Sequence, residues 1–305
     1  MSSNRRGMNK ELSIEEKIAQ KKWGFTDDEL AAHPTIYRDD LLEGKVVLIS
    51  GGGTGMGRAM AYLFARLGAQ VVICARRDEP LEETAKGIKD RIGADVGTYS
   101  MSIREEDEVD ELMDWVWENY GKLDTLVNNA GGQFVQDAID YSKKGWRAVI
   151  DLNLNGTWYM MQEAAIRWRD NGYEGGNIIN NVATVNRGMP QSGHTCAARA
   201  GIIALSKTVS TEWAPHKIRV NCIAPGSVET TGFNVYPAEA LPDFARCNPM
   251  KKLGDVWDVA EGVVYLASPA ADFITGEVLT VDGGMSQMGW MWPAGQPDYF
   301  KDIIG

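Results

Sequence analysis

The sequence predicts an α/β fold built on a single doubly wound parallel sheet with helices on both faces, and three observations carry that prediction. From Lys45 onward, short apolar runs alternate with segments of helical periodicity, the pattern of βαβ units feeding a parallel sheet. A glycine cluster, Gly51-Gly52-Gly53-Thr54-Gly55-Met56-Gly57, lies between the first such run and the first periodic segment. The chain has 305 residues, 44% of them hydrophobic. One doubly wound sheet of about 250 residues can be one domain.

Taken in order, residues 1–43 are rich in charge and hold a helix start at Ser13, followed by Glu16, with Ile14, Ile18 and Trp23 as apolar contacts. They are expected to form an arm outside the main fold, either a partly ordered tail or a wrap around a neighbouring subunit. The domain proper is expected over residues 44–285. Its strands read at Val46–Ile49, Val71–Cys74, Leu123–Val127, Asn177–Asn180, Ile218–Cys222 and Val278–Val281. Between them, Met60, Leu63, Phe64 and Leu67 share one helical face, as do Val109, Leu112, Met113 and Val116. From Pro225-Gly226 to Trp257 periodicity is weak and Thr, Pro and aromatics are scattered, which suits a substrate-covering loop. Residues 286–305 form an aromatic tail, with Trp290-Met291-Trp292-Pro293 and Tyr299-Phe300, expected to pack on the fold or on another subunit.

Lys and Arg number 31 against 42 Asp and Glu, a net charge of -11 that disfavours nucleic acid and an anionic membrane surface as partners. Any anionic ligand must therefore be met by a local positive patch. No apolar run approaches the roughly 18 residues needed to span a bilayer. Cys74, Cys196, Cys222 and Cys247 have no CxxC spacing and read as free thiols in a reducing cytoplasm. The chain ends Asp-Ile-Ile-Gly, not in a Ser-Lys-Leu address, and no metal site is expected.

The glycine cluster has the context of a dinucleotide loop. Glycines permit a sharp turn and let a pyrophosphate approach backbone N–H groups at a helix N-terminus, so Gly51, Thr54, Gly55, Met56 and Gly57 are candidate cofactor residues. At the end of the second run the chain reads Cys74-Ala75-Arg76-Arg77. An acid there would bind ribose hydroxyls and repel a 2′-phosphate. Ala75 stands in its place, and Arg76, with Arg77 beside it, offers a planar guanidinium suited to phosphate, so NADP(H) is the expected cofactor.

Further motifs follow in order: Asn128-Asn129-Ala130-Gly131, Asn153-Leu154-Asn155-Gly156, Ile218-Arg219-Val220-Asn221 before Pro225-Gly226, and Val281-Asp282-Gly283-Gly284. With the glycine loop, they make residues 42–285 resemble the short-chain dehydrogenase/reductase family. That resemblance implies a Rossmann-like sheet and an oxidoreductase. It also implies that Asn129, Gly131 and Ser102 line the cofactor, that Val228 and Thr230 approach the nicotinamide and phosphates, and that the protein is a homo-oligomer, expected as a tetramer. Within the family, Gly131-Gly132-Gln133-Phe134, Lys144-Gly145-Trp146, His194 through Gly201 and Ser268 through Gly276 are most similar to peroxisomal trans-2-enoyl-CoA reductases. Similarity to 2,4-dienoyl-CoA reductases is more distant.

The same resemblance exposes a departure. The family's Tyr-x-x-x-Lys pair falls on Thr195 and Arg199, and its Ser on Val182 or Ala183. A Thr hydroxyl is far less acidic than a phenol of pKa about 10, and an Arg above about 12 cannot relay a proton. The displaced Tyr of dienoyl-CoA reductases corresponds to Thr184. Reduction of a conjugated thioester needs hydride at the β carbon and donors at the enolate oxygen, and an acidic Tyr is not required. Thr184, Thr195, Gln133 and Asn153 are candidate donors, Arg199 a ribose holder and His194 a candidate acid. The expected activity is NADPH-dependent reduction of an α,β-unsaturated acyl thioester, the substrate a small molecule such as an acyl-CoA. Two alternatives stay open: a carbonyl reductase or alcohol dehydrogenase with a rearranged donor set, and a cofactor-binding oligomer without catalysis.

Overall fold

The computed structural model describes residues 12–20, 22–172, 175–288 and 299. Seven parallel strands, β1 (Val46–Ser50), β2 (Gln70–Ala75), β3 (Val96–Ser100), β4 (Thr125–Asn128), β5 (Gly176–Asn181), β6 (Ile218–Pro225) and β7 (Val278–Val281), lie in the order β3-β2-β1-β4-β5-β6-β7. The main helices are α1 (Ile14–Gln20), α2 (Asp27–Ala32), α3 (Gly55–Arg66), α4 (Asp78–Ile92), α5 (Glu106–Tyr120), α6 (Lys143–Ile150), α7 (Gly156–Asp170), α8 (Gly193–Glu212), α9 (Leu241–Phe244) and α10 (Val256–Ala267). The doubly wound parallel sheet expected from the sequence is therefore present. Six of its strands coincide with the apolar runs. The seventh, β3, escaped because Val-Gly-Thr-Tyr-Ser is an edge strand with half-covered faces and has no need of a continuous apolar run.

Alternation along the strands sorts the core into two layers. Val47, Ile49, Val71 and Ile73 pack with residues of α3 and α10, while Val46, Leu48, Val72 and Cys74 pack with those of α5 and α7. The helix stripes read from sequence are buried accordingly: Met60, Leu63, Phe64 and Leu67 in the first layer, Val109, Leu112, Met113 and Val116 in the second. α10 starts at a reciprocal cap, in which the Asp255 carboxylate accepts from the N–H groups of Trp257 and Asp258, and Asp258 accepts from the Asp255 N–H.

The amino-terminal arm corrects the expectation of an element outside the main fold. Ser13 and Glu16 do form the helix start, with Ser13 N–H donating to Glu16 Oε2 at 2.7 Å and Glu16 N–H to Ser13 Oγ at 3.2 Å. The chain beyond α1 is packed on this same molecule: Trp23, Leu30 and Leu42 are buried, and Leu30 belongs to the layer of α3 and α10. Asp27 of α2 pairs with Arg58 and accepts from Tyr62 Oη at 2.7 Å, both on α3. Most of the aromatic tail, including Trp290, Trp292 and Phe300, lies outside the described residues. Tyr299 donates its hydroxyl to the Pro249 carbonyl at 2.7 Å and lies under Lys251 Nζ. Among the described residues no helix is long and apolar enough to cross a membrane, and no cluster of side chains could hold a metal ion.

Candidate active site

The strand order reverses between β1 and β4, so the chain leaves these strands in opposite directions and opens a crevice beyond their carboxyl ends. Register places Ser50, Asn128 and Asn180 side by side there. Asn128 Nδ2 donates to Asn180 Oδ1, and Asn180 Nδ2 to Ser206 Oγ, both at 2.9 Å. One residue further out, Asn129 Nδ2 donates to the carbonyls of Ser50 and Gly51, each at 3.1 Å, and Asn129 Oδ1 accepts from Asn181 Nδ2 at 2.9 Å. Asn129 thus ties the glycine loop to the crevice floor.

Gly51 and Gly55 have φ of +68° and +54°, a region open to glycine, and a Cβ on Gly57 would collide with the Gly51 carbonyl. The loop therefore closes tightly onto the start of α3. Thr54 makes no side-chain cap there and the first turn carries no acidic residue, so the unpaired N–H groups around Gly55, Met56 and Gly57 remain available to an anion. Thr230 stands above this turn: a Cβ built on Gly55 would lie 3.7 Å from its Cβ. Val228 is buried and bridges to Gly254. At the end of β2, Arg76 and Arg77 are exposed, and neither forms an ion pair among the described residues. Ser102 closes a turn at the rim, its Oγ accepting from Arg104 N–H at 3.4 Å and its own N–H held by Glu108 at 2.6 Å.

The deeper half of the crevice is dominated by Arg199. α8 buries this side chain to 7% exposure, and Nη1 has no hydrogen-bond partner among the described residues. Burial pulls its pKa down to about 10, yet the group is still charged at neutral pH. Its guanidinium lies against Gly131, where any Cβ would collide with Nη2. A buried cation without a carboxylate or a carbonyl is costly unless a ligand completes it.

Asn153 sits in a π-helical turn, Asp151–Asn155, between α6 and α7. Its amide pairs with one neighbour, accepting from Gly132 N–H at 3.1 Å and donating to the Gly132 carbonyl at 2.7 Å. It clips the loop after β4 in place, with one Nδ2 hydrogen left beyond this pair. Thr195 is buried beside His194, with Oγ1 3.2 Å from Nδ1. Thr184, after β5, is half-buried and makes no hydrogen bond among the described residues, so its hydroxyl is free to donate.

His194, expected as a candidate acid, is fully buried at the start of α8. Its Nδ1 accepts the Thr195 N–H at 2.8 Å, its ring stacks on Tyr141 at 4.6 Å, and Phe134 meets it edge-on at 4.4 Å. Burial pushes its pKa below the ordinary 6.5. The imidazole is a wedge at the start of α8, and its Nε2 is buried without a hydrogen-bond partner among the described residues. Tyr141, which the sequence reading did not single out, accepts from Gly193 N–H at 2.8 Å and lines a cavity of about 440 Å³ with Trp146, Lys143, Arg147 and Gly193. The signal was there in the aromatic density from Phe134 to Trp146. Gln133 Nε2 donates to Tyr236 Oη at 2.6 Å, and burial raises that phenol's pKa above its usual 10.

The family model described as Enoyl-(Acyl carrier protein) reductase matches residues 51–286. The crystal structure of a short chain dehydrogenase from Bacillus anthracis superposes with a TM-score of 0.76 at 38% identity, covering 83% of this chain and all of that one, 100%. The chain belongs to the short-chain dehydrogenase/reductase family. A protein of Bacillus subtilis named probable 2,4-dienoyl-CoA reductase is 37% identical over 257 residues, 83% of this chain and 99% of the relative. A peroxisomal 2,4-dienoyl-CoA reductase of Pongo abelii is 34% identical over 85% of this chain and 89% of its own length. These dienoyl relatives correct the ranking that placed trans-2-enoyl-CoA reductases first. The physical reason is visible in Ser268 through Gly276, one of the motifs behind that ranking: it is scaffold, with the Ile274 carbonyl accepting from Asn221 Nδ2 at 2.9 Å and Thr275 Oγ1 from Val220 N–H at 3.0 Å.

Proposed function

We propose that this short-chain dehydrogenase/reductase is an NADPH-dependent reductase of an α,β-unsaturated acyl thioester, the substrate an enoyl- or dienoyl-CoA. The observation that carries the reading is Arg199: a buried guanidinium whose Nη1 has no hydrogen-bond partner among the described residues, at the place where the family has Lys, facing a loop that only glycine permits at Gly131. The residues fit the dinucleotide. The first turn of α3 would hold the pyrophosphate, Arg76 the 2′-phosphate and Arg199 the nicotinamide ribose, with Thr230 closing over the phosphates. When bound, the nicotinamide would supply hydride to the conjugated carbon.

The chain's own groups suit the rest of that chemistry. Thr195 in place of the family's Tyr removes the phenol beside Arg199, and burial pushes the nearby Cys222 thiol up to about 11, which argues against carbonyl reduction and for a reaction whose developing charge is an enolate. Thr184 and the free amide hydrogen of Gln133 can donate to that oxygen, and each such donor is worth about 2.7–4 kcal/mol in comparable sites. The aromatic cavity beside Tyr141 and Trp146 suits an acyl or pantetheine chain, and Lys143 and Arg147 on its rim suit the carrier phosphates of an otherwise acidic protein. Trp158 and Trp213 stack at 6.1 Å, half-buried on the outer side of α7 and α8. A second copy would cover them, in keeping with a homo-oligomer that light scattering would reveal.

The test is NADPH oxidation across a panel of enoyl-CoAs, dienoyl-CoAs, ketones and aldehydes. Turnover of the thioesters with little of the ketones supports the reading. Turnover of ketones or aldehydes alone overturns it, and no turnover with tight NADPH binding favours a cofactor-binding module.

A further inference from the structure

The lid and the amino-terminal arm meet in a way that the family fold does not require. The lid runs from Val228 to Leu253 between β6 and α10, mostly as short helical turns. Its inner side reaches the site twice, through Thr230 over Gly55 and through Tyr236 on Gln133. Its outer side is covered by the arm. Trp23 packs edge-on against Phe233 at 5.4 Å, and Trp23, Phe233 and Leu241 form a small buried cluster joined by Ile18, Tyr236, Phe244 and Leu253. Within it, Phe233 stacks on Phe244 at 5.2 Å, and Tyr236 meets Phe244 edge-on at 5.0 Å. The same aromatic group that the arm grips therefore carries the phenol bonded to Gln133.

Glu229 is the polar half of this contact. One carboxylate oxygen accepts from Lys17 Nζ at 2.6 Å and the other from Gly24 N–H at 3.2 Å, with the Lys17 and Glu229 side chains only 18% and 14% exposed. Both partners come from the arm, more than 200 residues away in sequence. The arm is anchored at its far end on the cofactor half, where Asp27 pairs with Arg58 and Arg91 and Arg66 donates to the His33 carbonyl at 2.6 Å. It thus spans from the helices behind the glycine loop to the outside of the lid. It also precedes the segment that matches the family model.

We propose that residues 13–20 and 22–33 form a strap that holds the lid closed over the crevice, with Glu229 as the positioning residue through which the strap acts. The strap binds no substrate itself. It lowers the population of open lid, so that Tyr236 and Thr230 stay against Gln133 and the glycine loop when the acyl thioester enters. The role in substrate retention rests on the reductase reading above, whereas the mechanical coupling does not.

The experiment uses the full chain and three variants, Glu229→Gln, Lys17→Met and the double variant. Lid opening is read by chymotrypsin cleavage at Phe233, Tyr236 and Phe244. Each single variant should speed cleavage about tenfold, equivalent to ~1.4 kcal/mol of lid closure. The double variant should be no faster than the singles, because both remove one contact. Thermal melting should stay within about 2 °C of wild type, since the contact is local. For the thioester turned over in the panel, release from the closed site should quicken about tenfold with KM within twofold, because a contact made equally by the free and the filled lid changes opening and leaves affinity nearly unchanged. Cleavage and substrate release within twofold of wild type, or additive effects in the double variant, would overturn the strap. Should Glu229→Gln fold poorly, Lys17→Met carries the test from the arm side. Proteolysis needs no turnover, so a failed thioester panel and a failed strap are separate results.

Discussion

Replacing Arg199 with Met should make the protein more stable without cofactor and worse at holding NADPH. Burial lowers the Arg199 pKa from 12.5 to about 10. At about 1.4 kcal/mol per pH unit, holding the charge inside opposes folding by about 3 kcal/mol. The sign follows from the direction of the shift. At neutral pH the group is charged both folded and unfolded, so the penalty is constant there and is relieved only as pH rises past about 10. Met keeps most of the unbranched stem, and imperfect repacking returns about 1 kcal/mol. A net gain of about 2 kcal/mol should raise the melting temperature by about 3 °C in a chain of this size. Calorimetric titration should show NADPH bound at least tenfold more weakly, because a charge-assisted contact to the ribose is gone. Saturating NADPH should then raise the melting temperature of the variant less than that of wild type. A fall in cofactor-free melting temperature of more than about 3 °C would show that the guanidinium supports the fold. Unchanged NADPH affinity would show that it does not face the cofactor, and either result refutes the reasoning.

Arg76→Ala should weaken NADPH at least tenfold, the loss of roughly 1.5–3 kcal/mol from a charged hydrogen bond, and leave NADH nearly unchanged; equal dissociation constants for the two cofactors in wild type would contradict this. Thr195→Tyr with Arg199→Lys should not raise turnover of the native thioester, since the phenol would enter a space already packed by His194 and Tyr141; a tenfold gain would mark the site as a degenerate carbonyl reductase. His194 has a folded pKa below its ordinary 6.5, so the unfolded chain protonates first and stability is lost as pH falls below about 6.5. Denaturant titrations of His194→Gln should show a shallower loss from pH 6.5 to 5, and an unchanged slope would assign it to other groups. Gly131→Ala should abolish turnover by displacing Arg199, with near-normal activity as the contrary result.

The scaffold was legible because its signals are local. Val46–Ile49 and Val71–Cys74 announce buried strands by composition, and Gly51 to Gly57 announce a dinucleotide turn by backbone freedom, whatever the rest of the chain does. Where burial is partial the signal fades, as with β3. The departure at Thr195 and Arg199 was also visible, because a residue type at a known place in a motif needs no distance to be read. Gln133 and Thr184 were named as candidate donors by the same route, but Tyr141 and Tyr236 were not: each stands at the site through the ring or amide it touches, not through its neighbours in sequence.

The sequence by itself thus determined the parallel sheet, the glycine turn before α3, the arginine at the end of β2 and the absence of the family's Tyr at Thr195. Tertiary structure alone decided that Arg199 is buried with no hydrogen-bond partner for Nη1 among the described residues, that His194 Nδ1 accepts from Thr195 N–H, that Asn153 pairs with Gly132, and that the arm meets the lid through Glu229. The reason is that protonation, hydrogen-bond satisfaction and desolvation depend on what surrounds a group in space. Lys17 and Glu229 stand 212 positions apart, and no periodicity or propensity spans that separation.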